Sequence, residues 1–209
     1  MPHYDLCVIT ARSERLRRDH LDIARAALEA GCPMLQLRAK DLSTRELLAL
    51  GMQLRQLTRD RGALFIVNDR VDIAWAIEAD GVHLGEQDLP VAVARRLLGK
   101  QAIIGASVIT PERAIEAKSG GASYLGVGPI YPTPSKADAG DAIGCAPIGQ
   151  IKHAAGLPVL AIGGITRDNV AAVIRAGADG VAVISAVSEA DDMAGATSAL
   201  LDAVRAARQ

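Results

Sequence analysis

The chain contains few aromatic residues, few cysteines and no excess of charge of either sign. Aromatic residues make up only 2% of its 209 residues, so stacking surfaces for single-stranded nucleic acid are almost lacking. The formal net charge is -1 and lysines and arginines do not cluster, so the electrostatic footprint that nucleic acid requires is missing too. We therefore expect no nucleic-acid partner.

Cysteine and long apolar runs are equally scarce. Cys7, Cys32 and Cys145 are odd in number and widely spaced, without a CxxC pair, which favours a reduced compartment over a disulfide framework. No window approaches the ~20 apolar residues of a membrane span, and the N-terminus lacks a basic region followed by a long apolar stretch. We expect a cytoplasmic protein without a membrane partner.

What the chain does contain is a regular alternation of short apolar runs and longer segments of helical period. Hydrophobic residues make up 50% of it, which is typical of a folded globular domain. The predicted strands are Tyr4–Thr10, Met34–Arg38, Leu64–Asn68, Gly81–Leu84, Ala102–Ser107, Tyr124–Val127, Pro158–Ile162 and Gly180–Ile184. The predicted helices are His20–Ala30, Ser43–Arg61, Val71–Ala79, Pro90–Leu98, Thr110–Ser119, Ile148–Ala155, Arg167–Ala176 and Asp191–Ala207.

This alternation predicts the fold class. Strands that alternate with helices indicate a parallel sheet, and eight such units in a chain of this length indicate a closed (β/α)8 TIM barrel. A doubly wound open sheet is the alternative architecture. Because no linker or low-complexity segment interrupts the pattern, we predict that residues 1–209 form a single α/β domain.

The stretch Gly126–Lys136 changes abruptly from a buried strand to a polar loop. Its three prolines end the strand and stiffen the loop, which carries the hydroxyls of Thr133 and Ser135 and the cation of Lys136. Such a loop suits a phosphate, although an ordinary solvated loop would have the same composition.

Polar residues also lie at the end of the second predicted strand and just after it. Gln36, Arg38 and Lys40 are spaced by two, so they share one face, which in a barrel is the interior or the mouth. Buried cations need partners, and a pyrophosphate or carboxylate would supply them. The alternative is an internal salt bridge to Asp69 or Asp88.

Asp69 and Asp88 end neighbouring strands, so their carboxylates could converge on one cation. Oxygen ligands without cysteine or clustered histidine favour Mg²⁺, which takes one or two carboxylates together with substrate phosphates. Either aspartate alone could instead cap the helix that follows it.

Two further positions complete this edge of the barrel. Gly163 and Gly164 follow the seventh strand and Ser185 follows the eighth, where many barrels bind phosphate.

No Ser/His/Asp or Cys/His set can be assembled, and His83, the one histidine on a predicted strand, is interpreted as a satisfied core or rim residue. The site is thus predicted to hold phosphates and a metal rather than to supply a nucleophile.

Taken together, these residues resemble the thiamine phosphate synthase family over nearly the whole chain. The matching motifs, in the family's order, are Gln36–Lys40, Asn68–Asp69, Gly81–Gly85 with Asp88, Gly105–Ser107, Gly126–Lys136 and Ile162–Thr166. The resemblance implies a (β/α)8 barrel that joins hydroxymethylpyrimidine pyrophosphate to thiazole phosphate with Mg²⁺ as cofactor. Thiamine phosphate and pyrophosphate would be the products of these two small-molecule substrates.

The resemblance also implies a role for each matched residue. Arg38, Lys40 and Lys136 would be catalytic, and Asp69 and Asp88 would bind Mg²⁺. The residues expected to bind the pyrimidine pyrophosphate are Gln36, Leu37, Arg38, Ala39, Lys40, Asn68, Ser107 and Lys136. Those expected to bind the thiazole phosphate are Thr133, Pro134, Ser135, Gly164, Ile184 and Ser185.

The chain departs from the family pattern at two places. Glu86-Gln87 stands where the family usually reads Gln-Glu, and Ile109 stands where it often has histidine. Two alternative functions remain open. A thiazole tautomerase relative would carry a histidine in the sixth-strand motif where this chain has Pro129, and a non-catalytic phosphate-binding barrel would not require the metal residues.

Overall fold

A computed structural model describes residues 4–135 and 140–209, which form a ring of parallel strands surrounded by helices. Within these residues the strands are β1 Leu6–Ile9, β2 Met34–Leu37, β3 Leu64–Asn68, β4 Gly81–Leu84, β5 Ile103–Val108, β6 Tyr124–Val127, β7 Val159–Ile162 and β8 Gly180–Val183. β8 pairs with β1 in parallel, so the barrel is closed and the open-sheet alternative is excluded.

In the same residue ranges, seven helices lie between successive strands, and two more follow β8. Their bounds are α1 His20–Glu29, α2 Thr44–Arg61, α3 Val71–Ala76, α4 Val91–Leu98, α5 Pro111–Ser119, α6 Pro147–Ala155, α7 Val170–Arg175, α8 Ser185–Ser188 and α9 Met193–Ala206. α2 begins with the capping box formed by Ser43 and Glu46, and the Thr110 side chain caps α5 ahead of its first-turn proline. The short helix α8 was not predicted.

Alternation along each strand divides the apolar side chains into two cores. Leu35 and Leu37 of β2 pack outward into the layer between the sheet and the helices. Met34, on the opposite face of the same strand, packs inside the barrel with Ile66 and Tyr124. Residues that continue the inward face beyond a strand's last residue therefore reach the mouth at the carboxyl end of the barrel.

Candidate active site

A cavity of about 1000 Å³ opens at the carboxyl ends of the strands, where barrels of this type carry their active sites. Most of the residues predicted from the sequence form its wall. They are Arg38, Lys40, Asn68, Asp69, Asp88, Ser107, Thr133, Ser135, Gly164, Ile184 and Ser185. Residues from seven strand ends and the loops that follow them thus meet in one space, although up to 147 positions separate them in sequence.

Four of the predicted binding residues do not contribute to the cavity wall. Leu37 and Ala39 pack with the core between sheet and helices, and Pro134 faces solvent. Gln36 points inside the barrel and is only 3% exposed, and its Oε1 has no hydrogen-bond partner among the described residues. Lys136, also predicted, lies outside the described residues. The binding roles of these five residues stay predictions.

The two carboxylates predicted to bind metal do not cap helices. α3 and α4 are preceded by Arg70 and Pro90, neither of which makes a side-chain capping bond. Asp88 Oδ2 instead accepts a hydrogen bond of 2.7 Å from the Gly85 backbone N–H within the β4–α4 loop. This bond orients the Asp88 carboxylate, and both acidic groups line the cavity.

Asp69 adopts an unusual backbone conformation next to this pair. Its φ of 64° lies in the left-handed region, which non-glycine residues adopt at a cost of about 1–3 kcal/mol. The turn is held by a 2.8 Å hydrogen bond from Asp69 N–H to the His83 carbonyl. Burial, followed by the facing Asp88 carboxyl, raises the pKa of Asp69 to about 6.

Cationic side chains lie on the same wall as the acidic pair. Lys40 Nζ lies 4.0 Å from Asp69 Oδ2, but the lysine side chain is 54% exposed, so the ion pair is loose and faces the cavity. Arg38 also lines the cavity, and its charge lowers the pKa of Asp69 against the larger effects of burial and Asp88. The salt bridge to Asp69 that the sequence analysis considered is therefore present at Lys40, but its distance is long and Lys40 stays accessible from the cavity.

The opposite wall is rich in hydroxyl groups and close backbone contacts. Ser135 Oγ donates a 3.1 Å hydrogen bond to Ser185 Oγ, joining the β6–α6 loop to the start of α8, and Thr133 Oγ1 accepts from Ser135 N–H. Gly164 has a φ of 61°, and a Cβ there would lie 2.6 Å from the Pro132 carbonyl oxygen. Only glycine allows the β7–α7 loop to approach the β6–α6 loop this closely.

A third set of contacts was missed by the sequence analysis. His83 Nδ1 lies 2.9 Å from the Tyr124 hydroxyl and His83 Nε2 lies 3.0 Å from Ser107 Oγ. The interpretation of His83 as a satisfied, largely buried histidine is confirmed, since it is 9% exposed. Its link to a cavity-facing serine was not foreseen.

The departures at Glu86 and Ile109 lie at the rim of the cavity. Glu86 is paired with Arg113 of α5, its side chain is 64% exposed, and both residues line the cavity. Gln87 and Ile109 both line the cavity.

Comparison with known proteins identifies the family. The sequence model described as thiamine monophosphate synthase matches residues 6–187. The chain belongs to the thiamine monophosphate synthase family. Two curated relatives are the thiamine-phosphate synthases of Moorella thermoacetica, 51% identical over 100% of this chain and 99% of the relative, and of Haloarcula marismortui, 48% identical over the full length of both.

A solved structure from the thiamine monophosphate synthase family agrees with this assignment. The thiamine phosphate pyrophosphorylase of Pyrococcus furiosus is 44% identical, superposes with a TM-score of 0.90, and is matched over 100% of this chain and 98% of that one. Among residues 4–135 and 140–209, no helix has both the length and the hydropathy to cross a membrane. The family and the barrel predicted from the sequence are both confirmed.

Proposed function

We propose that this chain is a thiamine phosphate synthase that joins 4-amino-2-methyl-5-hydroxymethylpyrimidine pyrophosphate to thiazole phosphate. The observation that carries the proposal is that one cavity has two chemically different walls. One wall is formed by charged residues, and the other by hydroxyl groups and a glycine. The charged residues are Arg38, Lys40, Asp69 and Asp88, and the others are Thr133, Ser135, Gly164 and Ser185. The first wall suits a metal-bound pyrophosphate and the second a phosphate monoester. The reaction requires these two anionic groups to be bound side by side.

We further propose that Asp69 and Asp88 bind Mg²⁺. The donor set fits this ion, because both groups are carboxylates and their mutual proximity disfavours the doubly charged state unless a cation neutralises it. In the part of the chain that the structure describes, no group of three or more His, Cys, Asp or Glu side chains could hold a metal. A site with two protein ligands is the kind that Mg²⁺ completes with water and substrate phosphates. When bound, the ion would neutralise charge on the departing pyrophosphate.

The chain's own residues would support a dissociative reaction. The bond between the pyrimidine methylene carbon and the pyrophosphate oxygen breaks, and its electron pair leaves with pyrophosphate. The thiazole nitrogen then forms the new C–N bond with a lone pair that it already has. No general base is needed. Arg38, Lys40 and Lys136 would stabilise the negative charge that grows on the leaving group.

The second substrate would be held by the hydroxyl wall. We propose that Thr133, Ser135 and Ser185 donate hydrogen bonds to the thiazole phosphate, with the Ser135 hydroxyl hydrogen turning from Ser185 to the phosphate when the substrate binds. The backbone at Gly164 and Ile184 would approach the phosphate closely. The Ser135–Ser185 bond supports this assignment, because it brings two donors from different loops to one place. Hydroxyls and backbone N–H groups are suited to phosphate binding without adding charge.

The decisive experiment measures pyrophosphate release by the purified protein. Hydroxymethylpyrimidine pyrophosphate is supplied, with thiazole phosphate and Mg²⁺ each present or omitted. Release that requires both, with thiamine phosphate formed in equal amount, is the expected result. Isomerisation of the thiazole phosphate without release would support the tautomerase alternative, and binding of thiazole phosphate without any reaction would support a non-catalytic barrel.

We also propose a cytoplasmic location. The support is chemical, since no disulfide joins Cys7, Cys32 and Cys145. Fractionation of the producing cells, followed by detection of the chain with an antibody, tests the proposal. Detection only outside the cytoplasmic fraction would contradict it.

A further inference from the structure

The strand register places three residues that face the barrel interior in a row. His83 of β4 lies beside Gly105 of β5, and Gly105 lies beside Tyr124 of β6. Since β5 contributes only a glycine at this level, the two large side chains meet across it, with ring centroids 5.5 Å apart. Ser107 is two residues beyond Gly105 and so points to the same face, one step nearer the mouth.

Two glycines create the space for this arrangement. A Cβ at Gly105 would overlap the Tyr124 ring and His83 Nδ1, and a Cβ at Gly126 would lie 2.8 Å from His83 Cε1. Neither residue has a left-handed backbone that would itself require glycine. Their lack of a side chain is therefore explained by the volume that His83 and Tyr124 occupy.

The result is a series of hydrogen bonds that leads from the barrel centre to the cavity. Tyr124 is 1% exposed and His83 is 9% exposed, whereas Ser107 is exposed to the cavity. The Tyr124 hydroxyl lies 2.9 Å from His83 Nδ1, and His83 Nε2 lies 3.0 Å from Ser107 Oγ. Burial of Tyr124 raises its pKa, so the phenol stays protonated and retains its hydrogen.

The direction of these bonds follows from donor and acceptor strength. A phenol is a stronger acid than an aliphatic hydroxyl, and its oxygen is a weaker acceptor because a lone pair is shared with the ring. The favourable order has the Tyr124 O–H donate to His83 Nδ1 and the His83 Nε2–H donate to Ser107 Oγ. The reverse order would pair the weaker donor, serine, with imidazole and the weaker acceptor, phenol, with the imidazole N–H.

We propose that His83, held in its Nε2–H tautomer by Tyr124, is a positioning residue that turns the Ser107 hydroxyl hydrogen toward the cavity. Ser107 then acts as a hydrogen-bond donor to an acceptor atom of the substrate, such as a nitrogen of an aminopyrimidine ring. The substrate class rests on the proposed function. The direction of the hydrogen bonds among Tyr124, His83 and Ser107 does not rest on it, because that direction is a property of the protein alone.

The first test measures the tautomer directly. NMR of the substrate-free protein with ¹⁵N-labelled histidine is expected to show one histidine protonated at Nε2 only, whose signals disappear in His83→Gln. An Nδ1–H or doubly protonated His83 would overturn the proposal. This measurement remains valid even if the protein makes no thiamine phosphate, so its failure and failure of the proposed function are distinguishable.

The second test is a double-mutant cycle with Tyr124→Phe and Ser107→Ala. Tyr124→Phe keeps the ring and is expected to lower kcat/KM roughly 10-fold in the parent protein, but less than about 2-fold in the Ser107→Ala background. Equal reductions in both backgrounds would overturn the proposal, because they would mean that Tyr124 acts through packing alone. His83→Gln, whose amide can accept from Tyr124 and donate to Ser107, is expected to retain more activity than His83→Leu. Thermal unfolding of each variant checks that it is folded.

Discussion

The carboxyl groups of Asp69 and Asp88 face each other at the ends of β3 and β4, close enough to interact through a hydrogen bond. One is placed by a left-handed backbone turn and the other by a bond from Gly85 N–H, so neither can easily turn away. Keeping two carboxyls together in this way lowers the stability of the metal-free protein and favours cation binding.

This arrangement predicts how Asp69→Asn changes stability with pH. The folded-state pKa of Asp69 is raised from 3.8 to about 6, so the native state binds the proton more tightly than the unfolded chain does. Stability of the metal-free protein therefore falls as pH rises from about 4 to about 6, and the loss persists at higher pH. Asp69→Asn removes the loss and is expected to raise the free energy of unfolding by about 1–2 kcal/mol near pH 8.

Urea unfolding with a chelator present, near pH 4.5 and near pH 8, measures this difference. The gain is expected to shrink at the lower pH, and added Mg²⁺ should stabilise the parent protein but not Asp69→Asn. Asp72→Asn serves as a control of opposite sign, because a hydrogen bond from Arg70 lowers the pKa of Asp72 and favours its charged form. A less stable Asp69→Asn protein near pH 8 would contradict the prediction.

Lys136 provides a test of leaving-group stabilisation. We expect Lys136→Ala to lower turnover ~10²-fold or more, by analogy with the loss of one donor that stabilises charge in the transition state. Lys100→Ala is the matched control, because Lys100 is exposed and does not line the cavity. The turnover of both variants is measured by steady-state pyrophosphate release. Near-normal turnover of Lys136→Ala would show that Lys136 is not a catalytic residue.

A partly buried ion pair at the other end of the barrel tests what stabilises the fold. Asp80 accepts two hydrogen bonds from the Arg55 guanidinium and a third of 2.7 Å from Phe65 N–H. The Arg55 side chain is only 15% exposed, so Asp80→Asn leaves a poorly solvated cation without its counter-charge. We expect a loss of about 2–4 kcal/mol in the free energy of unfolding, measured by urea titration.

The neighbouring pair Arg59–Glu78 is the control for this experiment. It joins the same two segments, but its side chains are 49% and 79% exposed. Glu78→Gln is therefore expected to cost less than about 0.5 kcal/mol. Equal losses in the two variants would show that burial is not what gives the Asp80 pair its larger effect.

The sequence predicted the barrel well because apolar periodicity is a local property. The bounds of β3, β4 and β6 agree with the prediction to the residue, and β1 begins at Leu6 rather than Tyr4. α7 begins at Val170 rather than Arg167, because Asn169 bonds to Thr166 N–H and to the Gly164 carbonyl in a turn.

Features that depend on contacts between distant segments could not be predicted in the same way. The four residues of α8 are too few to show a helical period. The contacts of His83 with Ser107 and Tyr124 span 24 and 41 positions, and they follow only once the register of β4, β5 and β6 is known. Gly105 and Gly126 were the available signal, since a glycine inside a strand often marks close approach of another group.

Ser135 allows the two substrate sites to be tested separately. Ser135→Ala removes the hydroxyl that bonds to Ser185 and, by our proposal, one donor to the thiazole phosphate. A hydrogen bond to a charged group contributes about 1.5–3 kcal/mol, so we expect the KM for thiazole phosphate to rise roughly 10-fold or more. The KM for the pyrimidine pyrophosphate should stay within about 2-fold, because Arg38, Lys40 and the aspartates lie on the other wall. Ser119→Ala, at an exposed position ending α5, is the matched control. If both KM values rose together, the division of the cavity into two phosphate-binding walls would be wrong.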